Sequence, residues 1–291
     1  MKMLRHALQH AVELATLGWQ LEDALVAGLT AQALEVQGGF NPQNIINTLW
    51  AFATLGQHPK DALVAGLTAW ALEVQGGFNP QSIVNTLWAF ATLDRQPVDV
   101  LVVGLMARAL EVQGGFNPQN IVNMLWAFAM IGRQPEDALV VGLTVQALEV
   151  QSGFNSQVIA NTLWAFTTLG QHPNDALVAG LTAWALEVQG GFNPQNIANT
   201  LWAFATLGPQ PDDALVAELT VRTLEVQGGL KPQDITNTLW AFATLGRQPQ
   251  DVLVAGLTAE ALEVQGGFNP QEIANTLWVI CLLCIKSPDV V

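Results

Sequence analysis

Hydrophobic residues recur at helical spacing after Asn41, and this pattern organises the rest of the chain. Ile45, Leu49 and Phe52 lie on one helical face, which predicts a first helix, helix A, over residues 42–55. Asn41 suits the N-cap position because its side chain can accept a hydrogen bond from the first turn. The pattern therefore predicts an amphipathic helix with a defined start.

A second apolar stripe begins after a short polar connection. Leu63 and Val74 lie near its two ends, and the stripe predicts a second helix, helix B, over residues 59–75. Pro59 suits the first position of this helix, where the missing N–H costs nothing. Asp61 then lies in the first turn, either at N3 or as the N-cap itself, near the positive end of the helix dipole. Helices A and B together predict an antiparallel hairpin.

This hairpin recurs every 38 residues without insertion or deletion. A tryptophan in helix A marks each copy: Trp50, Trp88, Trp126, Trp164, Trp202, Trp240 and Trp278. A fixed period of roughly 20–50 residues is typical of solenoids, in which each repeat buries its apolar face against its neighbours. The sequence therefore predicts an all-α fold, an αα-hairpin repeat solenoid wound as a right-handed superhelix of about seven repeats.

The predicted organisation is one continuous solenoid domain. Residues 1–39 are interpreted as a degenerate N-terminal capping repeat, because Val12 stands where the other repeats have tryptophan. Residues 40–267 form six full repeats, and residues 268–291 form a truncated C-terminal repeat or cap. The final stretch is apolar, and an exposed apolar end favours end-to-end self-association.

Acidic residues are built into the repeat. The net charge is −14 at pH 7, which argues against binding a polyanion by bulk electrostatic attraction. Two ladders supply much of this charge: Asp23, Asp61, Asp99, Asp137, Asp175, Asp213 and Asp251, and Glu35, Glu73, Glu111, Glu149, Glu187, Glu225 and Glu263. The glutamates lie in the last turn of helix B, where a carboxylate opposes the dipole. We expect backbone N–H groups of the next helix A, or a basic ligand, to offset them.

The sequence lacks the residue patterns of catalysis and of cofactor or metal binding. No nucleophile–base set, phosphate-binding loop or metal-spaced cluster occurs, so we expect no enzyme, no cofactor and no metal site. Cys281 and Cys284 are the two cysteines and are interpreted as small apolar residues of a terminal helix. The longest apolar run, residues 277–285, is too short to span a bilayer, and the N-terminus lacks a signal-peptide pattern. These features predict a soluble intracellular protein without a membrane partner.

A polar and aromatic stripe recurs on helix A. In the repeat quoted above it consists of Gln43, Asn47, Trp50 and Thr54, at i, i+4, i+7 and i+11. Amides beside an indole suit contacts with bases or with a peptide backbone. Residues that do not change within an array also suit a scaffold, and this is the preferred interpretation. It expects the asparagines to hydrogen-bond between adjacent repeats and the tryptophans to pack in the core.

A protein that reads a ligand's sequence needs positions that differ between repeats, and each helix contains one. The position in mid-helix B holds Gln32, Trp70, Arg108, Gln146, Trp184, Arg222 and Glu260. The position near the start of helix A holds Asn44, Ser82, Asn120, Val158, Asn196 and Asp234. Ligand readout and drift explain the helix B set equally well, and drift is the simpler explanation for the helix A set. A glycine one turn before the helix B position leaves room for a large side chain.

Basic residues in the A–B turns complete the candidate site. They are Lys60, Arg95, Arg133 and Arg247. Most of the chain's other exposed charge is acidic, so this turn edge is the part of an acidic protein best suited to contact phosphate.

The repeat resembles a known family. The segment F-N-P-Q-x-I-x-N-T-L-W-A-F-A-T-L-G-x-x-P resembles the octotricopeptide repeat, and its core Asn47-Thr48-Leu49-Trp50-Ala51-Phe52-Ala53 is similar to that family's N-x-L-W-A-L-A stretch. The 38-residue period also agrees. The resemblance implies an αα-solenoid that binds single-stranded RNA, typically organellar transcripts.

The leading hypothesis is therefore modular recognition of single-stranded RNA, one repeat per nucleotide. In this hypothesis the variable positions contact bases and the turn cations contact phosphate. The alternative is an acidic protein-interaction solenoid, a scaffold or effector that holds a basic or extended peptide. A third possibility is an amplified or engineered array without a specific ligand.

Overall fold

The structure, a computed structural model, describes residues 23–36, 39–55, 59–208, 211–226 and 228–286. In chain order its helices are α1 (Asp23–Glu35), α2 (Pro42–Leu55), α3 (Asp61–Glu73), α4 (Pro80–Thr92), α5 (Asp99–Glu111), α6 (Pro118–Ile131), α7 (Asp137–Glu149), α8 (Ser156–Leu169), α9 (Asp175–Glu187), α10 (Pro194–Leu207), α11 (Asp213–Glu225), α12 (Pro232–Thr244), α13 (Asp251–Glu263) and α14 (Pro270–Lys286). The described residues contain no strand, and none of their helices is long and apolar enough to cross a membrane. The predicted all-α helical-repeat solenoid is confirmed, and the handedness of its superhelix stays a prediction.

Even-numbered helices are A helices and odd-numbered helices are B helices. α2 has the predicted bounds, Pro42–Leu55. The predicted N-cap is present in α4, where the Asn79 side chain accepts a hydrogen bond of 2.8 Å from the Ser82 N–H. Pro80 follows as the first helical residue. The Asn-Pro pair thus sets the start of this A helix, as the sequence predicts.

The B helices begin later than predicted. α3 begins at Asp61, after an extended N-cap residue, Lys60. Pro59 is buried before this N-cap, so its ring packs against the interior and does not open the helix. The prediction that Asp61 occupies N3 or the N-cap is therefore wrong. Its carboxylate still lies in the first turn, close to the positive end of the dipole.

The B helices also end earlier than predicted. α3 ends at Glu73, and Val74 is its C-cap. The Gly77 N–H donates a hydrogen bond of 2.9 Å to the Val74 carbonyl, within a 3₁₀ turn over Gln75–Gly77. Glycine is the least helix-favouring residue after proline, so two adjacent glycines end the α-helix and tighten the chain into the next A helix.

A residue with positive φ follows several of the A helices. Gly170 and Gly208 end α8 and α10 in the left-handed region, at φ 64° and 84°. Asp94 takes a similar conformation after α4, at φ 51°. A non-glycine residue tolerates this region at some energetic cost, and aspartate is among the residues that do so most readily.

The chain divides into two compact units, residues 1–116 with 130–143 and residues 117–129 with 144–291. In the first unit α2 packs against α4, and α3 contacts both α1 and α5. In the second unit α8, α10, α12 and α14 pack in succession, and the B helices α9, α11 and α13 contact one another over fewer residues. The predicted domain boundaries stay predictions, and the expected capping helix before residue 23 lies outside the described residues.

Small residues allow the A helices of the second unit to approach closely. Ala165, Ala203 and Ala241 are fully buried, and so are the adjacent threonines Thr200 and Thr238. An alanine or threonine at a helix contact lets two backbones come nearer than a large side chain would. This close packing also brings the solvent-facing sides of successive A helices near one another.

The last helix has an uncovered apolar face. On α14, Leu277 is 60% exposed, and Ile273 and Ile280 are also exposed. Their equivalents in earlier repeats, such as Leu49, are buried. The expected apolar end is therefore present in the structure, and self-association through it stays a prediction.

Candidate nucleic-acid interface

The variable position near the start of helix A is turned inward. In the second compact unit the Asn196 side chain donates a hydrogen bond of 3.4 Å to the Ser156 hydroxyl of the preceding A helix. Asn44 is exposed, whereas the members in the following repeats are buried: Ser82, Asn120, Val158, Asn196 and Asp234. This geometry favours packing between A helices over base contact.

The aromatic residues at the variable position of helix B are also buried. Trp70 is 7% exposed and Trp184 is 6% exposed. The Trp70 ring stacks on Phe40 with centroids 4.4 Å apart, and Trp184 packs on Phe154 with centroids 4.7 Å apart. A Cβ atom added at Gly180 would lie 3.1 Å from Trp184 Cζ2. The glycine thus provides the room that the sequence predicts.

The charged residues at this position contact the same region of their repeats. Arg108 Nε donates a hydrogen bond of 2.9 Å to the Phe78 carbonyl, and Arg222 Nε donates one of 3.0 Å to the Phe192 carbonyl. The buried Glu260 accepts a hydrogen bond of 2.8 Å from the Gly228 N–H. Each side chain therefore ties helix B to the turn before its own A helix.

The remaining two members differ from one another. Gln146 is buried, and Gln32 in α1 is exposed. The helix B position therefore tolerates aromatic and charged residues. An aromatic side chain stacks on the phenylalanine before helix A, and a charged side chain hydrogen-bonds to the backbone of the same turn.

Two of the glutamates at the ends of B helices are neutralised within their own helix. Arg108 pairs with Glu111 at 2.7 Å, and Arg222 pairs with Glu225 at 2.8 Å. The sequence-based expectation assigned these carboxylates to backbone N–H groups or to a ligand. The i,i+3 spacing between the two residues was the signal for this pairing.

The turn cations are engaged by the aspartate ladder. Arg95 pairs with Asp61 at 2.6 Å, and Arg247 pairs with Asp213 at 2.6 Å. Arg133 makes the equivalent contact of 2.7 Å with Asp99. Each aspartate is about 90% exposed, so these pairs are well solvated and open at small cost.

The other expected phosphate contact, Lys60, is exposed at the N-cap of α3. The aspartates explain part of the acidity of the repeat, since they tie each turn to the repeat before it. The four cations remain at the A–B turns, where the sequence placed them.

The solvent-facing surface of the A helices is an amide–indole stripe. We use this name for the glutamine, asparagine and tryptophan of each A helix, which in α10 are Gln195, Asn199 and Trp202. The tryptophans of α2 to α12 are half-buried, and Trp278 of α14 is 54% exposed. The stripe recurs unchanged in every A helix from α2 to α14.

In α2, α4 and α6 the amides of the stripe bond within their own helix. Gln81 Nε2 donates to Asn85 Oδ1 at 2.7 Å, and Gln119 Nε2 donates to Asn123 Oδ1 at 2.7 Å. The expectation that the asparagines bond between repeats and that the tryptophans form the core is therefore wrong. The i,i+4 spacing pairs the two amides on the surface, and the indole lies one turn further at the edge of the buried arc.

Consecutive indoles in the second compact unit come close together. The Trp202 and Trp240 ring centroids are 6.5 Å apart, and the planes are tilted by 41°. These residues lie on α10 and α12, which pack against each other. The packing of these two A helices thus brings together indoles that lie 38 residues apart in the sequence.

The A helices carry almost no charge. No charged residue occurs in α2, α4, α6, α8 or α10. α12 contains Asp234, which is buried, and α14 contains Glu272 and Lys286 at its two ends. The amide–indole stripe is therefore an uncharged surface on a protein of net charge −14.

Burial raises the pKa of Asp234 above its ordinary value, and the backbone N–H and charge of Lys231 offset part of this rise. The Lys231 N–H donates a hydrogen bond of 3.1 Å to Asp234 Oδ2. In another repeat Asn44 Oδ1 accepts the same bond, from the Asn41 N–H at 3.2 Å. An asparagine can therefore replace this aspartate without loss of the bond.

We expect Asp234→Asn to stabilise the protein at neutral pH. A raised folded-state pKa means that the protonated carboxyl contributes stability at low pH, and that this contribution is lost as the pH rises through the folded pKa. The advantage of the variant in thermal denaturation should therefore grow as the pH rises above about 4, the ordinary pKa of an aspartate. An advantage that shrinks over this range would contradict the assignment.

The described residues contain no group of histidine, cysteine and acidic side chains able to hold a metal ion. Cys281 is an exposed free thiol, and the Cys284 side chain lies outside the described part of the structure. The expectations of no enzyme, no cofactor and no metal site stay predictions.

Two family models match the chain. A model described as "Protein of unknown function (DUF1601)" matches residues 38–49. A model described as "RNA-editing substrate-binding complex 6 protein" matches residues 59–291. No protein of curated function matches. Because the longer match covers most of the chain, the chain belongs to the RNA-editing substrate-binding complex 6 protein family.

Proposed function

We propose that this chain binds single-stranded RNA along the amide–indole stripe of its second compact unit. The observation that carries the proposal is the contact between two half-exposed indoles of successive A helices, Trp202 and Trp240, at 6.5 Å. Proteins that bind single strands commonly stack successive bases on aromatic side chains. The proposed role is binding, without a catalytic step.

The spacing of the indoles supports one nucleotide per repeat. The Trp202 and Trp240 rings have centroids 6.5 Å apart and are tilted by 41°, which is a direct aromatic contact. Adjacent repeats therefore present neighbouring aromatic edges, and the exposed part of each ring can stack one base. Helical-repeat proteins that read one base per repeat provide a precedent for this arrangement.

The family supports the same class of ligand. Its description names an RNA-editing substrate-binding complex, which supports a role for this chain with RNA or with protein partners of such a complex. The resemblance to octotricopeptide repeats, which rests on residues such as Asn47 and Trp50, points to single-stranded RNA as well. The family match and the repeat resemblance are both consistent with RNA binding by the amide–indole stripe, and neither depends on the variable positions.

The charge distribution sets the expected mode of binding. The uncharged stripe does not repel phosphate locally, and the nearby cations, such as Arg247, are shared with aspartates. Base stacking then supplies most of the affinity, and phosphate contacts supply little. This differs from basic RNA-binding surfaces, whose affinity depends on the release of counterions.

We therefore expect RNA binding with a shallow dependence on salt. Each phosphate contact to a single strand contributes a slope of about −0.7 in log K against log salt. The turn arginines Arg95, Arg133 and Arg247 must first leave their carboxylates, so we expect a total slope no steeper than about −2. Quenching of tryptophan fluorescence by a single-stranded RNA pool, titrated at several salt concentrations, measures both binding and slope.

The same titration separates the proposal from its alternative. Absence of quenching at every salt concentration would contradict RNA binding through the stripe. Salt-sensitive capture of a basic peptide, without RNA binding, would instead support the acidic protein-interaction solenoid. Glu149→Gln and Glu187→Gln, which neutralise exposed carboxylates, should weaken peptide capture and leave RNA binding unchanged.

A further inference from the structure

We infer that the preferred ligand of the amide–indole stripe is a homopolymeric tract of single-stranded RNA. This inference rests on the proposed function and specifies its ligand. It departs from the sequence-based hypothesis, in which residues that differ between repeats read a mixed sequence.

Each A helix presents the same three groups. α8, α10, α12 and α14 pack in succession in the second compact unit, and every one of them carries glutamine, asparagine and tryptophan at equivalent positions. In α10 these are Gln195, Asn199 and Trp202. A base that meets one repeat therefore meets the same chemistry in the next.

At the two variable positions singled out in the sequence, the residues of the second compact unit are withdrawn from this surface. At the variable position of the A helices, Val158, Asn196 and Asp234 are all buried. At the variable position of the B helices, Trp184 is buried and Arg222 bonds to a turn carbonyl. Differences between repeats thus affect packing and do not change what the stripe offers a ligand.

An internal amide bond is present in α2, α4 and α6, and α6 shows what such a repeat offers. In α6, Gln119 Nε2 donates to Asn123 Oδ1, which occupies the asparagine oxygen. The asparagine NH₂ group and the glutamine oxygen remain available, one as a donor and the other as an acceptor. Together with the indole face of Trp126, they form a site for one base edge and one base plane.

Identical sites require a uniform best ligand. Whichever nucleotide fits one site best also fits the others best, so the optimal sequence repeats that nucleotide. Preferences at independent sites add as free energies. A roughly twofold preference at each of five sites therefore compounds to about thirtyfold for the whole tract.

The test compares homopolymers with a mixed sequence. Fluorescein-labelled RNAs of about twelve nucleotides, a length within the usual range for single-strand binding sites, are titrated with the full chain and followed by anisotropy. The probes are oligo(A), oligo(C), oligo(U) and a mixed sequence with no two identical neighbours. We expect one homopolymer to bind at least about tenfold more tightly than the mixed RNA.

The outcomes separate the inference from the proposed function. If the mixed RNA binds as tightly as the best homopolymer, or more tightly, the inference is overturned and RNA binding stands. If no RNA binds, the proposed function itself fails. If one homopolymer binds with much higher affinity than the mixed RNA, both the inference and the proposed function are supported.

A matched pair of variants locates the preference. Asn199→Ala with Asn237→Ala removes two amide donors from the stripe without changing the indoles. We expect this double variant to reduce the homopolymer-to-mixed affinity ratio about fourfold, the product of two roughly twofold preferences. Val221→Ala, at an exposed position of α11, is the control and should leave the ratio unchanged. A ratio that falls equally in both variants would contradict a role for the amides.

Discussion

Alanine at both Trp202 and Trp240 is expected to weaken the binding of single-stranded RNA about thirtyfold or more. Stacking of one base on an aromatic side chain is worth about 1–3 kcal/mol, and this pair forms the closest described contact between indoles of the stripe, at 6.5 Å. Anisotropy titration of the wild type and the double variant measures the change. The loss should appear mainly as faster dissociation, because affinity differences between related complexes arise mostly in the off-rate.

The control for this experiment keeps the rings. Phenylalanine at Trp202 and Trp240 preserves an aromatic face in a half-buried position, so we expect most of the affinity to remain. Both double variants remove part of the packing between A helices, and circular dichroism must show that each is folded at the temperature of the titration. A folded double-alanine variant that binds like the wild type would refute base stacking at this pair.

The sequence predicts the repeat and its helices well because their signals are local. The bounds of α2, Pro42–Leu55, follow from an N-cap asparagine, a proline and helical spacing of apolar residues. The B helices are less well predicted, since Pro59 is a good helix starter in isolation. Its burial before Lys60 depends on tertiary packing, which local patterns do not report.

The candidate site was harder to predict because an A helix has more than one buried face. In α10, Leu201 and Phe204 form the large apolar face, whereas Asn196, Thr200 and Ala203 are buried in a second arc. Small and polar residues in that second arc look like tolerant surface positions in the sequence.

The tryptophans show the opposite error, because the sequence predicts that they are buried and the structure leaves them half-exposed. An indole beside an apolar stripe resembles a core residue, but the buried arcs of the A helix leave Trp202 at their margin, half-exposed. The comparison of repeats therefore identified the positions that vary, and the packing of A helices was needed to show that they face inward.

The variable position in mid-helix B allows a test of whether its residues serve packing or ligand readout. Different repeats of the chain fill this position with different residue types. Trp184 is buried against Phe154, and its indole N–H donates a hydrogen bond of 3.3 Å to Gln151. We expect Trp184→Ala to destabilise the surrounding repeats by about 3–5 kcal/mol, the usual range for loss of a buried aromatic side chain. In a repeat protein this loss lowers the stability of the affected repeats and of their interfaces with neighbours.

Arginine at the same position should restore part of that stability. Arg222 stands there in a later repeat, where it donates to the Phe192 carbonyl and pairs with Glu225. Trp184→Arg can make the equivalent contacts with the Phe154 carbonyl and Glu187, and hydrogen bonds that involve a charged group contribute about 1.5–3 kcal/mol. Urea denaturation should therefore rank wild type above Trp184→Arg, and Trp184→Arg above Trp184→Ala. If arginine is no better than alanine, the equivalence of the two repeats is refuted.

RNA binding distinguishes a packing role from a readout role at this position. Trp184 is on a B helix and has little exposed surface, so both variants should bind homopolymeric RNA with the wild-type affinity at temperatures where they are folded. A readout role predicts instead that Trp184→Arg alters which RNA is preferred while the protein stays folded. The two roles can be separated because stability and ligand preference are measured on the same variants. A changed RNA preference in folded Trp184→Arg would contradict the packing role and support direct contact between this position and RNA.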